Sequence, residues 1–194
     1  MTQKPIINQV EGIFLVLPDH IGREYFVNVM EQLNWFVQQI HEGDGIKKAY
    51  QEIWTTEDRA NAINYVEDPL TMTHFLWLRG SNIHDLLPEI WGRIPAYESE
   101  ELLEMAVEAE EHDDAVRAVL RIAVGFPNFD SDALSIFEQY LTSTSPLLRK
   151  ATIQAIAYRL WTETAPLLEK VSQEDSDEDV KSFAQNILCH LRNS

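Results

Sequence analysis

The sequence predicts an α+β chain, or a mainly α one, with an N-terminal α/β cap over residues 1–97 and a helical part over 98–194. Three observations carry that expectation. An aliphatic-then-basic pair recurs at an interval of 32 residues in the second half, short strand-like apolar runs occur only in the first, and the composition suits a folded core. Of the 194 residues 45% are hydrophobic, so 32 Asp and Glu against 15 Lys and Arg do not make this a disordered acidic tail.

In the first half, 12–17 reads as a short buried strand stopped by Pro18. From 22 to 40, Phe26, Met30, Leu33, Val37 and Ile40 recur at helical spacing, which predicts one helix ended by Gly43-Asp44-Gly45. A second short helix is expected over 46–54. Residues 62–67 and 72–79 read as two strands around an Asp68-Pro69 turn, and 83–93 as a helix after Gly80-Ser81-Asn82. The order is β-α-(α)-β-β-α. The alternative makes 70–79 a helix begun at Pro69, and the whole chain α-helical.

The second half is periodic. Val116-Arg117, Leu148-Arg149 and Val180-Lys181 each follow a polar or Pro turn and open an apolar-periodic segment. In the same register Leu120, Thr152 and Ala184 coincide, as do Ala123, Ala155 and Ile187, then Val124, Ile156 and Leu188. Further helical stretches precede the turns at 100–110, 131–142 and 162–173. The strings DDAVRAVLRIAVG (113–125), SPLLRKATIQAIA (145–157) and DEDVKSFAQNILC (177–189) resemble the second helix of HEAT-type repeats. That resemblance covers about half the chain and implies a short HEAT-like α-solenoid of three helix pairs. It implies a scaffold or binding surface rather than an activity, with a minority of relatives, the phycobilin lyase-related proteins, tied to chemistry. In such repeats a ladder like Arg117, Arg149 and Lys181 pairs with neighbouring acids along the stack.

Catalytic and metal motifs fail on spacing. Asp175, Asp177 and Asp179 begin like a calcium loop, but Val180 and Asn186 stand where the turn Gly and bidentate Glu belong. Asn128, Asp130 and Asp132 fail likewise, and both runs read as acidic first turns of helices. Glu104, Glu108 and His112 lie four apart, without the Glu-x-x-His spacing of a di-iron bundle. Single Cys189 excludes a disulfide framework and a thiolate zinc site, and the seven glycines form no phosphate-binding loop. No catalytic residue, metal or cofactor is therefore expected.

The net charge of −17 argues against nucleic acid as a partner, since phosphate binding needs Lys and Arg. Residues 1–97 hold 13 acids and 7 bases, net −6, and 98–194 hold 19 and 8, net −11. The run 98–114 contains nine acids and no base. Neither a signal peptide nor a bilayer-spanning stretch is visible, so a cytoplasmic protein is expected. These features point to a non-enzymatic module docking a basic protein, in its sharper form an immunity or antitoxin-type inhibitor of a cationic toxin. Glu98, Glu100, Glu101, Glu104, Glu108 and Glu111 would attract the partner, with Trp54 and Trp91, near expected helix ends, as apolar anchors. The plainer reading of the four Trp of the first half is a dense core in the α/β part and its seam with the helices. Two alternatives stay open, a small-molecule or chromophore-binding protein of the lyase-like kind and an acidic mimic of DNA.

Overall fold

The computed structural model describes residues 12–193. Strand β1 (Ile13–Val16) leads through helix α1 (Arg23–Gln32) to a four-stranded meander: β2 (Phe36–His41), β3 (Tyr50–Thr55), β4 (Asn61–Asp68) and β5 (Thr73–Gly80). All neighbours are antiparallel, and β1 closes on β5 to give the order β1-β5-β4-β3-β2. Helix α2 (Ile83–Trp91) follows, and then α3 (Ser99–Glu108), α4 (His112–Gly125), α5 (Ser131–Leu141), α6 (Pro146–Arg159), α7 (Ala165–Glu174) and α8 (Glu178–Asn193). The chain is α+β, and the all-helical alternative is excluded.

Two expectations in the first half are corrected. The helix expected through residue 40 stops at Gln32. Asn34 takes a left-handed backbone (φ 56°), the Trp35 amide closes back onto the Met30 carbonyl at 2.9 Å, and the chain leaves as β2. Asn tolerates that conformation because its short polar side chain bonds locally. The short helix expected over 46–54 is strand β3, in which Tyr50, Glu52 and Trp54 alternate onto one face. A carboxylate in the middle of that alternation hid it. The strands expected at 12–17, 62–67 and 72–79 are β1, β4 and β5, and the helix at 83–93 is α2.

Both faces of the sheet are covered. Leu15, Ile63, Tyr65, Leu76 and Leu78 point to one side, where Phe26, Val29 and Met30 of α1 and Ile83 and Ile90 of α2 fill the layer. Val16, Val66 and Phe75 point to the other and share a core with buried residues of α3 to α8. Helix α4 packs on β1 and β5. Gly80, at φ 144°, makes the turn beside Ala60 possible, since a Cβ there would come within 2.5 Å of the Ala60 carbonyl oxygen.

Each expected helical stretch of the second half is a helix. α3 packs on α4, α5 on α6 and α7 on α8, while α4, α6 and α8 contact one another in sequence. The coincident positions Leu120, Thr152 and Ala184 are buried, as are Val124, Ile156 and Leu188. The acidic runs start helices as expected. Asp130 accepts from the Asp132 and Ala133 amides before α5, and Asp177 from the Asp179 and Val180 amides before α8. Among the described residues no helix is long and apolar enough to cross a membrane.

Arg149 and Asp175 form a buried two-pronged ion pair, Nε and Nη2 each 2.7 Å from a carboxylate oxygen, and Arg149 also donates to the Ser143 carbonyl at 2.8 Å. Removing one partner strands the other charge in the core. Arg149→Ala is expected to destabilise the fold by about 3–5 kcal/mol, read by urea unfolding, and the double change Arg149→Leu with Asp175→Asn by clearly less. Equal losses in the two variants would refute the stranded-charge account.

Candidate functional site

All nine acids of 98–114 are exposed, and among the described residues none of them forms an ion pair with Lys or Arg. They divide by role. Glu98 and Glu101 start α3 through a reciprocal capping box, in which the Glu98 amide donates to Glu101 Oε2 at 2.7 Å. Glu108 and Glu111, with Glu110 and Asp114, line a cleft of about 470 Å³ at the α3–α4 turn. Glu100 and Glu104 stand on the exposed side of α3, outside that cleft. Val107, 68% exposed, adds an apolar spot on the same helix.

The cations of the cleft are already engaged. Arg117 and Arg121 both hold Asp19, at 3.4 and 2.5 Å, and Arg121 lies over the Tyr97 ring. This corrects the expected ladder. Arg149 does pair with an acid of the following helix pair, Asp175, but Arg117 reaches back to Asp19 in the first half and Lys181 bonds Glu178 within its own helix. Equal spacing in sequence puts the three bases on corresponding helices, and tertiary proximity then gives each a different kind of partner.

The expected tryptophan anchors also separate. Trp54 is buried in β3, edge-on to Phe26, and cannot serve a surface; Trp91 is partly exposed at the end of α2. Residue 54 falls at a helix end only if 46–54 is helical; in β3 it lies on the buried side instead.

Sequence reasoning missed a polar group at one end of the α1-covered sheet face. Glu52 is fully buried and takes hydrogen bonds from Arg23 Nε and Tyr50 Oη on one oxygen and from Trp54 Nε1, at 3.0 Å, on the other. Burial alone would raise its pKa, but the three donors and the Arg23 charge outweigh it and leave the carboxyl below its ordinary value. Next to it Tyr65 donates to Glu67 at 2.9 Å, and burial together with Glu67 holds that phenol protonated far above its usual range. The signal was the spacing Tyr50-x-Glu52-x-Trp54, period two with a charge on the buried side. Since Glu52 has no solvent exposure and both its oxygens are engaged, it ties α1 to the sheet and cannot meet a substrate.

Beyond this group a cleft of about 440 Å³ opens between the 42–48 loop and the β4–β5 turn, lined by Glu42, Lys48, Tyr50, Glu67, Asp68 and His74 among others. Among the described residues His74 Nδ1 is buried there without a hydrogen-bond partner. The loop is stiffened by Asp44, whose carboxyl accepts the Ile46, Lys47 and Lys48 amides at 2.8–2.9 Å and is held down at about 2 by them. Among the described residues no three His, Cys, Asp or Glu side chains are gathered to hold a metal ion. Comparison with protein-family models, curated proteins and solved structures returns no match.

Because Glu52 titrates below the ordinary carboxylate value, its contribution to stability is complete above about pH 4.3 and is lost as pH falls through its lower folded value. Glu52→Gln should cost about 1–3 kcal/mol at neutral pH and flatten the acid limb of the stability curve. Urea unfolding between pH 3 and 7 measures both, and an unchanged acid limb would refute the assignment.

Proposed function

We propose that this protein is a non-enzymatic docking module for a basic protein, and that its helices from Ser99 to Asn193 form three HEAT-like repeats presenting the docking surface. The pairing of α3 with α4, α5 with α6 and α7 with α8, with α4, α6 and α8 in series, supports the repeat reading. The observation that carries the function is the uncompensated acid at the α3–α4 turn. Among the described residues five carboxylates line one cleft, and its two cations, Arg117 and Arg121, both bond Asp19, so the other four acids are left unpaired for an entering Lys or Arg side chain. Charge supplies the long-range steering, and exposed Val107 offers an apolar contact beside it. An immunity-type inhibitor covering a cationic toxin is the sharper form of the same reading. A cytoplasmic setting goes with it.

Affinity capture by the full chain from its native host, at low and at high salt, tests this. The expected result is one basic protein retained at low salt, released at high salt, and at least about tenfold weakened by Glu108→Gln, Glu111→Gln and Asp114→Asn together. Retention of no basic protein, or retention indifferent to those changes, would sink the proposal.

A second reading, a small-molecule site, is favoured by the cleft at His74, whose acceptor-rich wall suits a ligand carrying amine or hydroxyl donors. Native mass spectrometry of the full chain should then find a bound small molecule that His74→Leu removes. A bare mass in both proteins counts against it.

A further inference from the structure

We propose that the protein forms a two-fold homodimer through the outer edge of β2, joining two five-stranded sheets into one of ten. Among the described residues β2 pairs with β3 only, so its other edge presents a row of backbone donors and acceptors. Five of its six residues are exposed, among them Phe36 at 54%, Val37 at 49% and Ile40 at 45%. Such an edge templates a further strand unless it is blunted by Lys, Pro, an inward charge or a bulge. Here the sole such device is a bulge between Val37 and Gln39. The opposite edge is closed differently: β1 has four residues, runs into Pro18, and its Val16 carbonyl accepts the Tyr97 amide.

Charge selects a second copy as the occupant. Residues 32–41 carry no Asp, Glu, Lys or Arg in a chain of net −17. Where two copies of so acidic a chain meet through carboxylates, they repel. At β2 they meet without that penalty, and the strand offers no acid to draw in the basic partner that the α3–α4 cleft suits. A two-fold axis makes the new pair antiparallel, as every other neighbour in the sheet already is. The apolar side chains left exposed at the edge are then covered by their equivalents, and the inference stands independently of what docks at α3–α4.

The test is sedimentation of the full chain over a range of concentrations at about 50 mM and about 500 mM salt. The expected species has twice the 22.4 kDa chain mass, and its dissociation constant falls as salt rises, because salt screens repulsion between the two acidic bodies. That dependence is opposite in sign to the one expected for docking a basic protein. Val37→Lys with Ile40→Lys should shift the equilibrium to monomer at least about tenfold by placing like charges on the meeting strands. If that variant does not fold, Gln38→Lys with Gln39→Lys, which replaces exposed polar side chains, reads the same effect, with circular dichroism confirming the fold. A wild-type chain that stays monomeric at both salts, or a dimer that survives the lysines, overturns the proposal.

Discussion

The constraint on which this molecule depends is that its central strands are apolar on both sides and must be covered twice. β4 sends Ile63 and Tyr65 one way and Val66 the other, and β5 sends Leu76 and Leu78 against Phe75 in the same manner. Helix α1 supplies one cover and α4 the second. The second junction is pinned by Arg159 at the end of α6, which donates to the Ala123 and Val124 carbonyls in the last turn of α4 and lies over the Phe14 ring of β1. Those carbonyls belong to the group that a helix C-terminus leaves without internal partners. Burial lowers the Arg159 pKa to about 10, so the guanidinium remains a cation at neutral pH, held by dipoles and an aromatic face.

Charge is then sorted by what it touches. Where carboxylates are buried, as at Glu52 and Asp175, they are met by cations and hydrogen-bond donors and act as fasteners. Where they are exposed between residues 98 and 114, two start a helix, and among the described residues none forms an ion pair. A sum of −17 therefore mixes two populations with different consequences. The exposed acids, those of 98–114 among them, project a field into solvent.

The helical half was legible because its signal is redundant. The 32-residue register, the polar turns and the buried stripe all mark the same six segments, and each is a helix within a few residues of the expected bounds. The sheet was legible where a strand held a run of apolar residues, as Phe75 to Leu78 in β5, and illegible where edge or polar residues broke the pattern. Phe36, Val37 and Ile40 fit helical spacing as well as an edge strand, and only the backbone turn at Asn34 decides between them. The burial of Glu52 rests on tertiary contacts, since its partner Arg23 lies 29 residues away in sequence and on the helix that covers it. The acids of 98–114 lie at the surface and Trp91 is exposed at the end of α2, whereas Trp54 is buried and the bases of the ladder take different kinds of partner, since such contacts are set by tertiary proximity.

The position of β1 has a consequence for how the chain acquires its shape. The meander from β2 to β5 can zip by successive local turns, but β1 pairs with β5, matching Ile13 to Leu78 and Val16 to Phe75 across some sixty residues of chain. Long-range closure of that kind is slow because its entropy is lost before its contacts form. α4 rests on β1 as well as on β5, so the seat for the helical half is complete only after the first strand has been captured by the last. Until β1 has paired with β5, the helix that rests on both has only part of its seat, so the closure of the sheet and the docking of the helical half are coupled.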